Sequence, residues 1–326
     1  MRIFITGGSG FIGTTAVRHF LDLGWTVCNV DLVAPKIEDQ RAYWVACDIR
    51  DAQRLRAALS DFRPDFVLNL AAQTGADQPD LKLEDLDTNM DGVEALIDAI
   101  RAAGTVKRTI FVSSLLVCRN GYIPQSDEDY CPPGAYGASK VEGEKIVRGR
   151  SGFGEWVIVR PTSVWGPWFE HSYKTFFKMV QRNLYVHIRG GKDLIKPITF
   201  VGNTAYMFEK ILTSGSNLVA SQTFYLGDYP ATTVGGWADT VQRALKSRPI
   251  LTLPLWPLRM AAAAGDVLKR LGYKDPPLSS FRLQNLMTGG DYPLEKTQLV
   301  VGPLPFSLGD GVAQTVRWMR ERGELR

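Results

Sequence analysis

A glycine-rich turn near the N-terminus restricts how this chain can fold. Residues 2–6 predict a short strand with the apolar centre Ile3-Phe4-Ile5, and they lead directly into glycines spaced G-x-x-G-x-x-G. After a buried strand, Gly7 permits a tight turn, Gly10 lets backbone N–H groups approach a pyrophosphate, and Gly13 lets a helix pack closely on the sheet. We expect that helix at residues 11–23, with its positive N-terminal end facing the phosphates. The stretch therefore predicts a dinucleotide-binding turn rather than an ordinary one.

An aspartate stands where recognition of a ribose is expected. Residues 26–30 predict a second strand, and Asp31 follows it, eighteen positions after Gly13. A carboxylate at this point accepts hydrogen bonds from a ribose 2′-hydroxyl and repels a 2′-phosphate, and no arginine follows immediately. Asp31 therefore indicates NAD, the alternative being that it is only a turn residue at a strand end.

Predicted strands alternate with predicted helices through the first half of the chain. Further strands are expected at 43–48, 66–72, 109–113 and 156–160, and helices at 52–59, 88–103 and 136–149. This alternation predicts an α/β fold, a Rossmann-type doubly wound parallel sheet with its ligand crevice at the carboxyl ends of the strands. We expect Asp31, Ala71, Ser113 and Ser114 to face that crevice.

The alternation stops at Pro161, and Gly166-Pro167 opens a different region. We expect an NAD-binding domain over 1–165 and a smaller C-terminal α/β lobe, mainly substrate-binding, over 166–326. Strands predicted near 197–201 and 223–226 can return to the main sheet, so segments within 197–228 are expected to belong to the first domain. A terminal helix is expected over 309–322.

Charge and cysteine usage exclude several classes of protein. The 38 basic and 34 acidic residues give a net charge of +4, which is too small to indicate a nucleic-acid partner. The cysteines show no C-x-x-C spacing, so neither a metal site nor a disulfide framework is indicated, and reduced thiols are expected. They are Cys28, Cys47, Cys118 and Cys131.

A cytoplasmic protein without a membrane span is expected. A first strand that starts at residue 2 leaves no room for a signal peptide. The longest apolar stretch, residues 250–268, is interrupted by Pro254, Pro257, Arg259 and Asp266. We interpret it as a helix packed within the C-terminal lobe rather than as a segment that contacts a membrane.

Tyr136 and Lys140 have the spacing Y-x-x-x-K, which on a helix places the phenol and the ammonium one turn apart. A nearby cation stabilises a phenolate, so we expect a lowered pKa for Tyr136 and proton exchange near neutral pH. Ser114, at the end of the fifth strand, can hydrogen-bond the same substrate oxygen. The three groups are our candidate catalytic residues, acting while a nicotinamide exchanges hydride.

The same spacing occurs twice more, at Tyr206 with Lys210 and at Tyr292 with Lys296. Only Tyr136 begins a predicted helix shortly after the fifth strand, with a serine at that strand's end. We therefore interpret the other two pairs as structural.

These motifs together resemble a known family. The matching segments are Thr6-Gly-Gly-Ser-Gly-Phe-Ile-Gly13, Asp31, Asp48-Ile49, Asn69-Leu-Ala-Ala72, Asn89, Phe111-Val-Ser-Ser114, Tyr136-Gly-Ala-Ser-Lys140, Arg160-Pro161 and Gly166-Pro167. Over nearly its whole length the chain resembles the extended short-chain dehydrogenases/reductases of the NAD-dependent epimerase/dehydratase family. The resemblance implies NAD as cofactor, a small-molecule substrate such as a nucleotide sugar, and a homodimer formed through the helices at 88–103 and 136–149.

The resemblance also implies roles for individual residues. Asp48 and Ile49 would flank the adenine, Asn89 would support the active site, and Lys140 would bind the nicotinamide ribose. The implied cofactor-binding set is Gly7, Ser9, Gly10, Phe11, Ile12, Gly13, Asp31, Leu32, Asp48, Ile49, Leu70, Ala71, Ala72, Asn89, Val112, Tyr136, Lys140 and Pro161. The implied substrate-binding set is Gln73, Ser114, Ser163, Lys196 and Arg282.

Departures from the family's patterns reduce the number of reactions that the chain is expected to catalyse. Dehydratases of this family resemble one another in having an Asp-Glu pair after the catalytic Ser or Thr, whereas this chain has Leu115-Leu116, which cannot transfer protons. Cys118-Arg119 replaces a Tyr-Gly pair that is usual in the epimerases. Asn69 replaces a common histidine, and Ser163 stands where many nucleotide-sugar enzymes have asparagine.

The C-terminal half departs further. Lys196 corresponds to a usual arginine and lacks the bidentate guanidinium fork. Arg282 is either a second cation for a diphosphate or a surface arginine. The Val201-Gly202-Asn203 segment and Leu253-Pro-Leu-Trp-Pro257 also resemble a steroid-dehydrogenase-like branch.

Three functions are compatible with this sequence. The first is an NAD-dependent nucleotide-sugar epimerase that transiently oxidises a sugar hydroxyl to a ketone. The second is an NAD(P)-dependent dehydrogenase or reductase of a keto-sugar or another secondary alcohol. The third is a non-catalytic protein that senses a dinucleotide. The intact Ser114, Tyr136 and Lys140 set favours the first two.

Overall fold

A computed structural model gives the three-dimensional structure. It describes residues 1–75, 80–170, 172–189, 194–273, 279–280, 283, 287, 289–290 and 292–325. The chain forms two compact units. The first contains Met1–Val164, Thr199–Gly227 and Pro293–Pro305, and the second contains Trp165–Ile198, Asp228–Tyr292 and Phe306–Arg326.

The first unit is built on a seven-stranded parallel sheet. Its strands are β1 (Arg2–Thr6), β2 (Thr26–Asp31), β3 (Trp44–Ala46), β4 (Phe66–Asn69), β5 (Arg108–Val112), β6 (Glu155–Pro161) and β11 (Gln222–Leu226). They lie in the order β11-β6-β5-β4-β1-β2-β3, and each neighbouring pair is parallel. This order confirms the Rossmann-type doubly wound sheet, and its direction of winding reverses beside β1, where such sheets bind ligands.

Helices cover the sheet. In the first unit they are α1 (Phe11–Asp22), α2 (Ala52–Phe62), α3 (Asp91–Ala103), α4 (Ala135–Gly149), α6 (Val201–Thr213), α7 (Ser216–Val219) and α10 (Glu295–Val301). The apolar face predicted for α3 is buried, with Leu96 and Ile97 inaccessible to solvent. The helix starts at Asp91 and not at residue 88, because Met90 has φ −120° and ψ −70°, outside the helical region, after a 3-10 turn over Leu83–Asn89.

The edge strand β11 is held by a segment that the sequence placed in the C-terminal lobe. Within Pro293–Pro305, Thr297 donates a hydrogen bond to the carbonyl of Tyr225 at 2.6 Å, and Lys296 donates to the carbonyl of Thr223 at 3.1 Å. The ammonium of Lys296 is therefore occupied in holding a strand. Lys296 therefore shares only the Y-x-x-x-K spacing with Lys140.

The second unit has an aromatic core. Its helices with described bounds are α5 (Ser172–Gln181), α8 (Val234–Leu245), α9 (Leu255–Arg270) and α11 (Leu308–Glu321). Its described short strands include β8 (His187–Ile188), β9 (Ile195–Lys196), β12 (Thr232–Thr233) and β13 (Thr252–Leu253). Two further strands, β7 (Ser163–Trp165) and β10 (Ile198–Phe200), contain the points where the chain passes from one unit to the other. Trp237 stacks on Phe176 with 4.4 Å between ring centroids, and His187 is buried against Asp239 at 2.8 Å. His187 is therefore a structural residue, while His171 lies outside the described residues.

Arg108 joins the sheet to α6 and yields a test of the fold. It is 5% exposed, and one of its terminal nitrogens donates to the carbonyls of Ile211, Leu212 and Ser214 at 2.8–2.9 Å. Its other donors bond to Glu155.

We expect Arg108→Met to lower the free energy of unfolding by about 3 kcal/mol, because the carbonyls at the end of α6 and a half-buried carboxylate lose their partner. Urea denaturation followed by circular dichroism measures the loss. Lys107→Met is the matched control. Lys107 forms an ion pair with Asp65, but the Lys107 side chain is 70% exposed, so the pair contributes less than about 1 kcal/mol. Equal losses in the two variants would contradict the role assigned to Arg108.

Candidate active site

The glycine turn brings two strand ends into backbone contact. Gly7 has φ +71°, and a Cβ there would lie 2.6 Å from the backbone nitrogen of Ala71, at the end of β4. A Cβ on Gly13 would overlap the carbonyl oxygen of Gly7. Gly10 is the N-cap of α1 and supplies no side-chain acceptor. The first turn of α1 therefore lacks a capping side chain, as expected where a phosphate takes that place.

Asp31 is tied to the glycine turn. Its carboxylate accepts the backbone N–H of Ser9 and that of Val33, both at 3.0 Å, and the side chain is half-buried. A carboxylate has about four acceptor positions, so two bonds leave room for ribose hydroxyls. The side chain amide of Asn29, fully buried, donates to the hydroxyl of Ser9 at 3.1 Å. Asn29 was not identified from the sequence, although its place two residues before Asp31 is a usable signal.

The residues expected around adenine differ in their surroundings. Leu32 is 66% exposed beside Asp31. Asp48 is bound by the guanidinium of Arg50, whose hydrogen bonds hold the pKa of this carboxyl below its usual value. Ile49 is 3% exposed and belongs to the hydrophobic core. Its side chain fills the space that a Cβ on Gly92 would need, so Ile49 fixes the position of α3 as part of the core.

Tyr136 and Ser114 meet in the structure. Tyr136 lies in the first turn of α4, and Ser114 caps the 3-10 turn that follows β5, accepting the N–H of Leu116 at 3.1 Å. Burial raises the pKa of Tyr136, and its hydrogen bond with Ser114 partly offsets that rise. The expected lowering of this pKa by Lys140 is therefore wrong for the chain by itself, because desolvation of the phenolate outweighs an ammonium 6.0 Å from the ring centroid.

Lys140 is buried with its ammonium against the sheet. Its Nζ donates to the carbonyl of Val112 at 3.1 Å, and the residue is 9% exposed. Burial lowers its pKa from 10.5 to about 8, and the charge of Glu144 acts in the opposite direction. Lys140 therefore remains mostly protonated at pH 7, and its proton becomes exchangeable just above neutrality.

A buried ion pair that the sequence reasoning missed supports this helix. Glu144 is 2% exposed and Arg160 is inaccessible, and the carboxylate accepts two guanidinium hydrogen bonds at 2.7 and 2.9 Å. The same carboxylate accepts the hydroxyls of Ser113 and Tyr130. Because Glu144 follows Lys140 by four residues, helical spacing from Tyr136 would have placed all three on one face.

Asn89 fastens α4 to the loop after β4. Both of its amide hydrogens are used, one by the carbonyl of Gln73 and one by the hydroxyl of Ser139, each at 2.9 Å. Its amide oxygen accepts the N–H of Gln73. The hydroxyl of Ser139 in turn bonds to the carbonyl of Tyr136 at 2.8 Å. Asn89 therefore positions α4, and both of its amide hydrogens are used within the chain.

The remaining assigned residues are divided between the units. Leu70, Ala71, Ala72, Val112, Pro161 and Ser163 belong to the first unit, as do the residues of the glycine turn. Lys196 lies in β9 of the second unit, where burial lowers its pKa. Arg282 lies outside the described residues. Tyr206, with its Lys210 ammonium 4.8 Å above the ring, lies on α6.

Comparison with known proteins identifies the family. Residues 3–226 match the profile of the NAD dependent epimerase/dehydratase family, and the chain belongs to that family. It is therefore an NAD-dependent enzyme of the isomerase or oxidoreductase kind. The cofactor is NAD, and the glycine turn, the uncapped helix α1 and the Asp31 carboxylate suit the pyrophosphate and ribose of that molecule.

Individual relatives include both reaction types of the family. The chain is 26% identical, over 97% of its length and 95% of the relative's, to the N-acetyl-alpha-D-glucosaminyl-diphospho-ditrans,octacis-undecaprenol 4-epimerase of Escherichia coli O157:H7. It is also 26% identical, over 86% of its length and 90% of the relative's, to the dTDP-glucose 4,6-dehydratase of Salmonella typhimurium. The UDP-glucose 4-epimerase of Thermotoga maritima, solved with UDP-glucose, has the same fold, with a TM-score of 0.71, 23% identity and 99% coverage of both chains.

The close approach at Gly13 makes a prediction about cofactor binding. We expect Gly13→Ala to raise the Kd for NAD at least about tenfold, because the added methyl forces the carbonyl of Gly7 out of the pyrophosphate turn. Isothermal titration with NAD measures the change, and a thermal melt checks the fold. Gly149→Ala at the end of α4 is the control, because a Cβ there meets no atom within 4 Å. Unchanged NAD affinity in Gly13→Ala would contradict the assignment.

The carboxylate of Glu144 makes a prediction about pH. Because it raises the pKa of Lys140, Glu144→Gln should lower that pKa, and the alkaline limb of the activity profile should move to lower pH. The limb moves to lower pH because Lys140 acts in its protonated form, and that form is lost as the pH rises through the pKa of Lys140 in the folded enzyme. Glu142→Gln, on the exposed side of α4, should leave the limb in place. A limb that stays fixed in Glu144→Gln while NAD still binds would rule out this electrostatic role.

Proposed function

We propose that this enzyme is a nucleotide-sugar epimerase that oxidises a sugar hydroxyl to a ketone and then reduces the ketone from the opposite face. The observation that carries the proposal is the set of buried Lys140 and half-buried Ser114 and Tyr136, in which Ser114 is followed by Leu115-Leu116 in place of a proton-transferring pair. Such a set can move one proton to and from an oxygen. It provides no acid and base for removing water from neighbouring carbons, which favours epimerisation over dehydration.

The chain's own groups supply the proton chemistry. The phenol oxygen of Tyr136 takes the proton of the reacting hydroxyl and returns it to the ketone oxygen, while the hydroxyl of Ser114 hydrogen-bonds that oxygen. Bound NAD supplies the hydride acceptor and donor. The ammonium of Lys140 holds positive charge near the phenol, and its own proton is exchangeable because its pKa is about 8. The oxidation step starts from the phenolate, which forms when Tyr136 releases its proton to solvent and which the ammonium of Lys140 stabilises. The raised pKa of Tyr136 then favours the phenol that holds the substrate's proton and returns it to the ketone oxygen.

The proposal includes the chemical group to which the sugar is attached. The Escherichia coli relative is named for a sugar on a diphospho-undecaprenol, and the Thermotoga maritima structure holds a sugar on a nucleoside diphosphate. The shared feature is a sugar attached to a diphosphate. We propose Lys196, Ser163 and Gln73 as substrate contacts, with the first meeting a phosphate as a point charge. We also expect a homodimer formed through α3 and α4.

A dehydrogenase or reductase of a keto-sugar or another secondary alcohol is the second candidate, favoured by the Val201-Gly202-Asn203 segment. An epimerase regenerates NAD within each cycle and can retain it, whereas a dehydrogenase must exchange it. Purified enzyme that carries stoichiometric NAD supports epimerisation. Activity that requires added NAD in proportion to product supports the dehydrogenase. NAD binding without turnover of any sugar or alcohol would support the third candidate, a dinucleotide-sensing protein.

Substitution of the phenol tests the mechanism. We expect Tyr136→Phe to lower turnover at least about a hundredfold while the Kd for NAD stays within about twofold, because only the proton-transferring oxygen is removed. NMR of enzyme incubated with NAD and UDP-, GDP-, dTDP- and lipid-diphosphate-linked sugars reports product and stereochemistry together. Tyr206→Phe, with the same Y-x-x-x-K spacing on α6, is the control and should keep full activity. Full turnover by Tyr136→Phe would contradict the proposal.

A further inference from the structure

Helix α9 of the second unit (Leu255–Arg270) has apolar side chains on both sides. One side is packed: Ala262 is buried in a cluster with Ile188, and Leu255 and Leu258 pack against it. The sequence had predicted that this segment would be a helix packed within the lobe. In the structure that description applies to one face only.

The opposite face is exposed. At about 100° per residue, four large apolar side chains share an arc of about 60°, nearly opposite the packed face. They are Trp256, Met260, Val267 and Leu271, with 66%, 67%, 53% and 78% of their surfaces accessible. Single exposed apolar residues are ordinary, but a row of three along one helix, continued by Leu271 at its C-cap, is not. We call these four residues the α9 stripe.

Basic residues border the α9 stripe. Arg259 and Arg270 are exposed and lie along one edge of it, three turns apart, and Lys269 is exposed at the end of the helix. The helix contains a single acidic residue, Asp266. Its carboxylate accepts the backbone N–H of Ser280 at 3.2 Å and keeps its negative charge on the same edge as the two arginines. One carboxylate against Arg259 and Arg270 leaves that edge with a net positive charge.

An anionic lipid surface fits this combination better than a membrane span or a second copy of the chain. The described residues contain no helix long and apolar enough to cross a bilayer. A helix with an apolar face, a tryptophan near one end and flanking arginines is typical of segments that lie in the headgroup region. Two copies meeting through the same stripe would bring Arg259 and Arg270 of each copy together, which costs electrostatic energy.

We propose that α9 docks the enzyme on an anionic lipid surface, with the α9 stripe in the boundary between headgroups and acyl chains and Arg259 and Arg270 against lipid phosphates. This surface lies on the second unit and involves none of the proposed catalytic residues. The proposal goes beyond the proposed function, because it holds whichever diphosphate-linked sugar the site accepts.

Vesicle flotation of the full chain tests the docking. The wild type should float with phosphatidylcholine vesicles that contain about a third phosphatidylglycerol, bind pure phosphatidylcholine less, and lose binding at high salt. Met260→Glu with Leu271→Glu should lower partitioning at least about tenfold, because two charges enter the apolar boundary. Arg259→Ser with Arg270→Ser should weaken binding only to the anionic vesicles. Leu299→Glu is the matched control, since Leu299 is 77% exposed on α10, and it should bind like the wild type.

Two controls separate the possible outcomes. NAD titration on every variant confirms folding, and sedimentation velocity reports oligomeric state. Wild type that fails to float with anionic vesicles, or Met260→Glu/Leu271→Glu that floats as well as wild type, would overturn the proposal. So would variants that dissociate an oligomer without changing vesicle binding, because a second copy would then be what covers the stripe. Vesicle binding in an enzyme inactive on every sugar would contradict the proposed function and leave the docking surface standing.

Discussion

The buried pair of Glu144 and Arg160 connects the parts of the structure on which the site depends. Glu144 lies on α4 and Arg160 on β6, and both are almost inaccessible to solvent. Arg160 also donates to the hydroxyl of Tyr225 on β11 at 2.9 Å. A carboxylate and a guanidinium can remain charged at such depth only when their donors and acceptors are satisfied by one another and by polar neighbours. The pair thereby fixes the height of α4 above the sheet, and with it the positions of Tyr136 and Lys140.

The proposed catalytic groups, Tyr136 and Lys140, are held in surroundings that disfavour their charged forms. Burial raises the pKa of Tyr136 and lowers that of Lys140, so both groups favour their neutral forms more than they would in water. This costs folding free energy: the lowered pKa of Lys140 means that the unfolded chain binds more protons between about pH 8 and 10.5, and stability rises with pH across that window. The hydrogen bonds of Glu144, Arg160 and Asn89 help to offset that cost.

Several parts of the fold and the site were predictable because they depend on local spacing. The strand, glycine turn and helix at the N-terminus follow from residues within one short stretch, and the doubly wound parallel sheet follows from the alternation of predicted strands and helices. Ser114, Tyr136 and Lys140 could be selected over two other Y-x-x-x-K pairs, because only their position follows the fifth strand. Glu144 was missed although its helical spacing from Lys140 was visible, and Asn29 was missed although it stands two residues before Asp31.

Other features depend on contacts between residues far apart in the chain. The pKa of Tyr136 could not be read from its distance in sequence to Lys140, because the degree of burial decides the sign. The place of Pro293–Pro305 beside β11, and the two unlike faces of α9, likewise depend on which elements pack together. The sequence by itself therefore determined the doubly wound sheet, the glycine turn and the candidates for proton transfer. Only the tertiary structure decided how strongly those groups are desolvated and which apolar surfaces remain exposed, because burial is a property of the packed chain.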